Sequence, residues 1–270
     1  MRKYKPLFIT MATALLVMSC QNEETLEQNQ YVTSQYEVSL SNPIVQQLLK
    51  KGWEYSQIKQ ISEDFYLVGD DFLYPTKEST SKVTVLNRQS RSDELMDIKN
   101  AKSVNVYVDK SLNVTPFPNE FWEDAIFKAV KEWNKVPNTS LRFKQVFNSK
   151  AADVVVLSDR GTLPKDAFAA ALAPQSGRAG KHILVNTKYT NSTGKPVNES
   201  QRVYNMVHEL GHAIGLKHTN WKELREPAAI HIQGTASVDS KSVMNGGTPE
   251  LEWKGFSEYD MKAVQILYPE

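Results

Sequence analysis

Five residues in the run VHELGHAIGLKH, Val207 to His218, have the types and spacing of a metal site: His208, Glu209, His212, Gly215 and His218. On an α-helix, residues four apart share a face and lie roughly 6 Å apart along the axis, so His208 and His212 can hold one ion between them. Zinc accepts neutral imidazole, and a zinc that does chemistry usually keeps three protein ligands and leaves a fourth position to water. His218 is expected as the third ligand, because Gly215 tolerates positive φ and can end the helix and swing the chain back. Glu209 directly follows a ligand and is expected to reach the water rather than the ion, the position of a general base. HExxH alone is a weak signal. The Gly and His at fixed offsets lower its chance occurrence roughly a thousandfold, and three of the chain's five histidines fall inside this run.

The elements around the run must hold it still. Val203, Met206, Val207, Leu210 and Ile214 recur at helical spacing and give the helix an apolar face beside its polar one. Asn198 and Gln201 have the spacing of a capping pair at its start. Earlier, Val104, Val106 and Val108 alternate with Asn105 and Tyr107 as a half-buried strand. Trp122, Ile126, Ala129, Val130 and Trp133 predict an amphipathic helix beginning near Asn119 and stopping before Pro137. Leu141 to Phe147, Asp153 to Leu157 and Lys181 to Asn186 read as strands, and Ala167 to Ala173 as an edge strand or rim. Ser257 with Asp260 predicts another capping box, opening a closing helix through Met261, Val264 and Leu267. This order predicts an α+β domain, a mixed twisted sheet with a cleft where sheet meets helix. His182 and His231 are expected to be surface or packing residues.

HELGHAIGLKH resembles the signature of the metzincin clan of zinc peptidases. The ending SEYDMKAVQILYP is similar to that of matrixin-like enzymes, particularly HEIGH-type bacterial metallopeptidases, with Leu210 in place of the isoleucine. The resemblance covers Ser103 to the C-terminus well. It implies a zincin-like fold, one catalytic zinc on His208, His212 and His218, Glu209 as the base, and a Met-turn at Ser242-Val243-Met244-Asn245 with Met244 flooring the site. Some metzincins place a tyrosine ligand two residues after that methionine; Gly246 stands there, so no tyrosine ligand is expected. Structural calcium is common in related enzymes, but no clear acidic loop for it stands out. The activity implied is hydrolysis of peptide bonds by metal-activated water, on an extended polypeptide paired with an exposed sheet edge. Two other readings stay open: a surface binding protein that keeps the fold without turnover, against which intact Glu209 argues, and a zinc hydrolase of short peptides or non-protein amides.

Met1 to Cys20 has a basic start, an apolar stretch from Leu7 to Met18 and then Ser19-Cys20, an export signal too short to span a bilayer comfortably. It also resembles a bacterial lipoprotein signal, which implies cleavage after residue 19 and lipid on the sulfur of Cys20. That is the chain's single cysteine, so no internal disulfide is expected; an ordinary signal with an incidental cysteine is the alternative. Gln21 to Tyr36 reads as a polar tether, and Glu23 and Glu24 are similar to signals that send some lipoproteins to the cell surface. The expected location is therefore the bacterial outer membrane, and the expected state a monomer. A formal charge of +1 from 32 basic and 31 acidic residues gives no reason to expect nucleic acid.

Between tether and catalytic region, residues 42–100 read as a small segment and linker, leading into a catalytic domain over 101–270. Asn42-Pro43 caps a short helix through Ile44, Leu48 and Leu49. Phe65 to Val68 and Phe72 to Tyr74 flank Gly69-Asp70-Asp71 as a hairpin. Lys77 to Asn100 is polar, around an uncertain strand at Val83 to Leu86. As an inhibitory pro-region this segment has no cysteine to place on a metal, whereas Asp70 or Asp71 could supply a carboxylate; the favoured expectation is that both aspartates serve the turn. Arg88 and Arg91 are processing points or, preferably, solvated charges.

Overall fold

The computed structural model describes residues 36–77, 91–92, 95–113, 121–227 and 229–270. Cys20, the tether to residue 35, Val83 to Leu86, Arg88 and Asn119 lie outside them. In chain order the elements are α1 (Pro43–Lys50), β1 (Ile58–Gln60), β2 (Phe65–Val68), β3 (Phe72–Pro75), α2 (Ile98–Ala101), β4 (Val104–Val108), α3 (Trp122–Asn134), β5 (Phe143–Gln145), β6 (Val154–Ser158), β7 (Ala169–Leu172), β8 (His182–Val185), α4 (Glu199–Ala213) and α5 (Glu258–Leu267). No helix among the described residues is long and apolar enough to cross a membrane.

The eight strands of the described residues form one mixed sheet in the order β1-β2-β3-β7-β8-β6-β4-β5. From β5 to β8 the pairings are parallel, and β7 runs antiparallel to β8. The hairpin β2-β3 then joins through β3, which lies parallel to β7 with Phe72 opposite Ala171 and Leu73 opposite Leu172. Ala167 to Ala173 is thus no edge: β7 is paired on both sides and all four of its side chains are buried. Small alanines carry no signal that separates an edge from a central strand, and the partner that covers this one lies about a hundred residues upstream. The strand expected over Leu141 to Phe147 shortens to β5: at its start the Leu141 amide donates to the Thr139 hydroxyl oxygen at 3.2 Å rather than to a neighbouring strand.

The helical face follows from burial. α3 and α4 pack together over the sheet with every apolar position of their shared stripe buried. Trp133, fully buried, lies under α4; its indole N–H donates to the Val207 carbonyl at 3.1 Å and its ring meets Phe256 at 4.5 Å between centroids. Asn42 caps α1, and the reciprocal boxes Asn198 with Gln201 and Ser257 with Asp260 start α4 and α5. On the opposite face of the sheet Leu67 and Leu73 of the hairpin meet Ala170, Leu172 and Leu184, so the hairpin shares its core with the strands it joins.

Asp260 does more than begin a helix. Its buried carboxylate accepts from the Ser242 hydroxyl at 2.5 Å, the Val243 amide at 3.0 Å and the Ser257 amide at 3.0 Å, tying α5 to the loop beneath α4. Removing the acceptor strands several buried donors, each costing about 1–3 kcal/mol. Asp260→Ala should therefore lower unfolding stability in urea by at least about 2 kcal/mol; a loss within experimental error would show that the loop is held from elsewhere.

Candidate metal centre

α4 is the platform. It ends after Ala213, Ile214 caps it, and Gly215 takes φ +103, a conformation that lets the chain reverse toward the helix face. His208, His212 and His218 thereby converge: their Nε2 atoms lie 2.9 Å (208 to 212), 3.2 Å (208 to 218) and 3.2 Å (212 to 218) apart, all three residues buried.

The opposite ring nitrogens decide the protonation. Nδ1 of His208 faces the Val243 carbonyl at 2.7 Å, Nδ1 of His212 the Leu216 carbonyl at 2.8 Å, and Nδ1 of His218 the Glu226 carboxylate at 2.6 Å. Each partner only accepts, so each Nδ1 must carry a hydrogen and each neutral ring presents a bare lone pair at Nε2. Three such lone pairs in a dry space would repel unless an ion or a proton sits between them.

A fourth donor joins them. The Asp71 carboxylate oxygen Oδ2 is 2.9 Å from His218 Nε2, 3.3 Å from His208 Nε2 and 3.6 Å from His212 Nε2. Asp71 thus does not merely serve its turn; the hairpin tip carries it into the histidine cluster. Four ligands about 2.0–2.2 Å from one zinc stand roughly 3.3–3.6 Å from each other, close to the distances found, so the donor set fits the ion in chemistry and in size. Without an ion, burial alone would raise the Asp71 carboxyl, but the neighbouring His218 and His212 bring it well below the usual carboxylate range. Burial alone would likewise lower His218, yet Asp71 and Glu226 on its two nitrogens hold it well above the ordinary imidazole value. Burial takes His212 down to about 4.

Glu209 lies beside the cluster, buried, with Oε2 lacking a hydrogen-bond partner among the described residues; Asp71 Oδ1 is in the same condition. Burial, reinforced by the charge of Asp71, pushes the Glu209 carboxyl well above its ordinary range. Both residues line a cavity of about 250 Å³ bounded by Leu67 and Gly69 of the hairpin, Ala167 to Ala169 and the Asn245 to Pro249 loop. A carboxylate with an unused oxygen in such a space can take a proton from water.

Met244 sits 2 % exposed under the helix. Gly211, inside HELGH, leaves room for it: a Cβ there would come within 2.5 Å of the Met244 sulfur. Gly246 lies against the His218 ring. His182, half-buried, meets the Phe65 ring edge-on at 5.7 Å, and His231 is likewise half-buried; neither joins the cluster. Sequence reasoning misses Glu226, and it raises Asp71 only to favour the turn. A cysteine-free segment with an Asp-Asp hairpin tip is the available signal for Asp71; for Glu226 there is none.

The model of the matrixin peptidase family matches residues 100–241, more than half of the chain. The chain belongs to the matrixin family. Two mouse (Mus musculus) proteins are similar to this matrixin: interstitial collagenase B, 34 % identical over 122 residues, and interstitial collagenase A, 33 % identical over 119. These alignments cover 42 % and 40 % of the chain but only 25 % and 24 % of the collagenases. The chain therefore spans about a quarter of the length of the curated relatives it matches. Among solved structures, two of myroilysin align at 13 % identity with TM-scores of 0.41 and 0.39, over 63 % and 79 % of this matrixin and 94 % and 95 % of those chains.

If Met244 acts by filling space below the histidines, Met244→Leu, close in volume, should cost less than about 1.5 kcal/mol, and Met244→Ala about 2–5 kcal/mol. Urea midpoints of the two variants check this; equal losses would assign the sulfur a role beyond packing.

Proposed function

We propose that this matrixin is a zinc-dependent endopeptidase held latent by its own N-terminal segment, and that it works outside the cytoplasm, lipid-anchored through Cys20. The observation that carries the reading is the set of three buried histidines, each with an acceptor behind Nδ1, whose Nε2 atoms meet at one point, with the Glu209 carboxylate beside them. His208, His212 and His218 hold the ion. Zinc bound there supplies Lewis acidity and brings the pKa of a water toward neutrality.

The chain's own residues do the rest. Glu209, its carboxyl raised by burial, accepts the proton of the attacking water and delivers it to the departing amine nitrogen. An extended substrate pairs with β7 once β3 has left it, which favours polypeptides over small metabolites. In the latent form Asp71 takes the position that water needs, and the same hairpin that carries Asp71 covers the strand that substrate needs. Both obstructions move together because Asp71 directly precedes β3. Location rests on the Met1 to Cys20 pattern, and the absence of nucleic-acid partners on the balanced charge.

The test is cleavage of a denatured protein by the full chain, with zinc content measured alongside, for wild type, Asp71→Ala and Asp71→Ala with Glu209→Ala. Each 1.4 kcal/mol taken from the closed state opens about tenfold more of the population. Asp71→Ala is expected to cleave at least about tenfold faster than wild type, and the double variant to keep its zinc while losing cleavage. Absence of stoichiometric zinc from wild type would sink the metal reading; zinc without faster cleavage by Asp71→Ala would sink the latch.

A further inference from the structure

The three histidines are not held alike. His208 and His212 sit on α4 and donate their Nδ1 hydrogens to main-chain carbonyls, whereas His218 lies beyond the helix and beyond the Gly215 bend, with no helical backbone to fix its ring. Its Nδ1 instead faces the carboxylate of Glu226 at 2.6 Å, and that side chain is only 3 % exposed. A carboxylate so deeply buried is costly unless a charged or strongly polar group answers it.

The loop is built to deliver it. The Glu226 amide donates to the Trp221 carbonyl at 2.9 Å and the Arg225 amide to the Lys222 carbonyl at 3.2 Å, the paired bonds of a Schellman turn. The left-handed residue that such a turn requires is Arg225, at φ +56, where a non-glycine side chain is uncommon. The turn thus holds a sparsely populated conformation immediately before Glu226 and points that side chain inward to the ring.

We infer that Glu226 is a positioning residue for the metal: it holds His218 in the Nδ1–H form, aims Nε2 at the cluster and makes the ring a stronger donor. This rests on the zinc reading above. An acceptor of this kind behind a ligating imidazole typically accounts for about 10–100-fold in metal affinity. Glutamine at the same place keeps an oxygen that accepts from Nδ1–H but loses the charge.

The experiment is the zinc dissociation constant of the full chain by chelator competition, for wild type, Glu226→Ala and Glu226→Gln. The thermal midpoint of each metal-free form is measured in parallel, together with 15N spectra of the histidine rings. Glu226→Ala should bind zinc about 10–100-fold more weakly, Glu226→Gln should recover part of that loss, and the His218 Nδ1–H signature should weaken in the alanine variant. If alanine lowers the metal-free midpoint while zinc affinity stays within about twofold of wild type, Glu226 is only a structural carboxylate and the inference fails alone. A wild type that binds no zinc overturns the metal reading and this inference with it.

Discussion

Three imidazoles whose Nε2 atoms converge on one buried point form the constraint on which the rest of this structure depends. Each ring could escape by turning or by exchanging its hydrogen to the other nitrogen, and each is denied both by an acceptor behind Nδ1. The acceptors come from separated places: the carbonyl before Met244, the carbonyl after the Gly215 bend, and Glu226. The cluster therefore exists only when the Asp260 clamp, the helix end and the Trp221 to Glu226 turn are all in place. Burial supplies the rest, since the same ring nitrogens in water would simply be solvated.

The parts legible in the sequence are those whose information is local. α4 carries a 3.6-residue apolar stripe, a capping pair and a glycine at its end, and the fold uses all of them. The hairpin is marked by its Gly-Asp-Asp tip and the closing helix by Ser257 and Asp260. The illegible parts are pairings between distant segments. β3 meets β7 across about a hundred residues, and Asp71 meets His218 across 147; neither alternation nor turn chemistry encodes such a partner. Glu226 is hidden for a different reason, because a single acidic residue in a polar loop has no periodicity to betray that its side chain points inward.

Asp71 also shows why a residue can satisfy two readings at once. It does stand at a hairpin turn, as the local chemistry demands, and the same short tip brings its carboxylate to the histidines. A turn reading based on sequence is satisfied before the long-range contact is considered. The neighbouring Asp70 lines the same cavity without joining the cluster, so the turn brings only one of its two aspartates to the histidines.

The shallow pairing of β3 on β7, two residue pairs in register, has a consequence for how latency is kept. To its side-chain contacts, covalent continuity with the same chain adds an effective concentration of the hairpin in the millimolar range or above. On the latent reading, part of the inhibition then resides in connectivity. One broken peptide bond between hairpin and catalytic part lowers that local concentration to the bulk value, and the two parts separate. The more dilute the two parts are, the closer to irreversible the cut becomes.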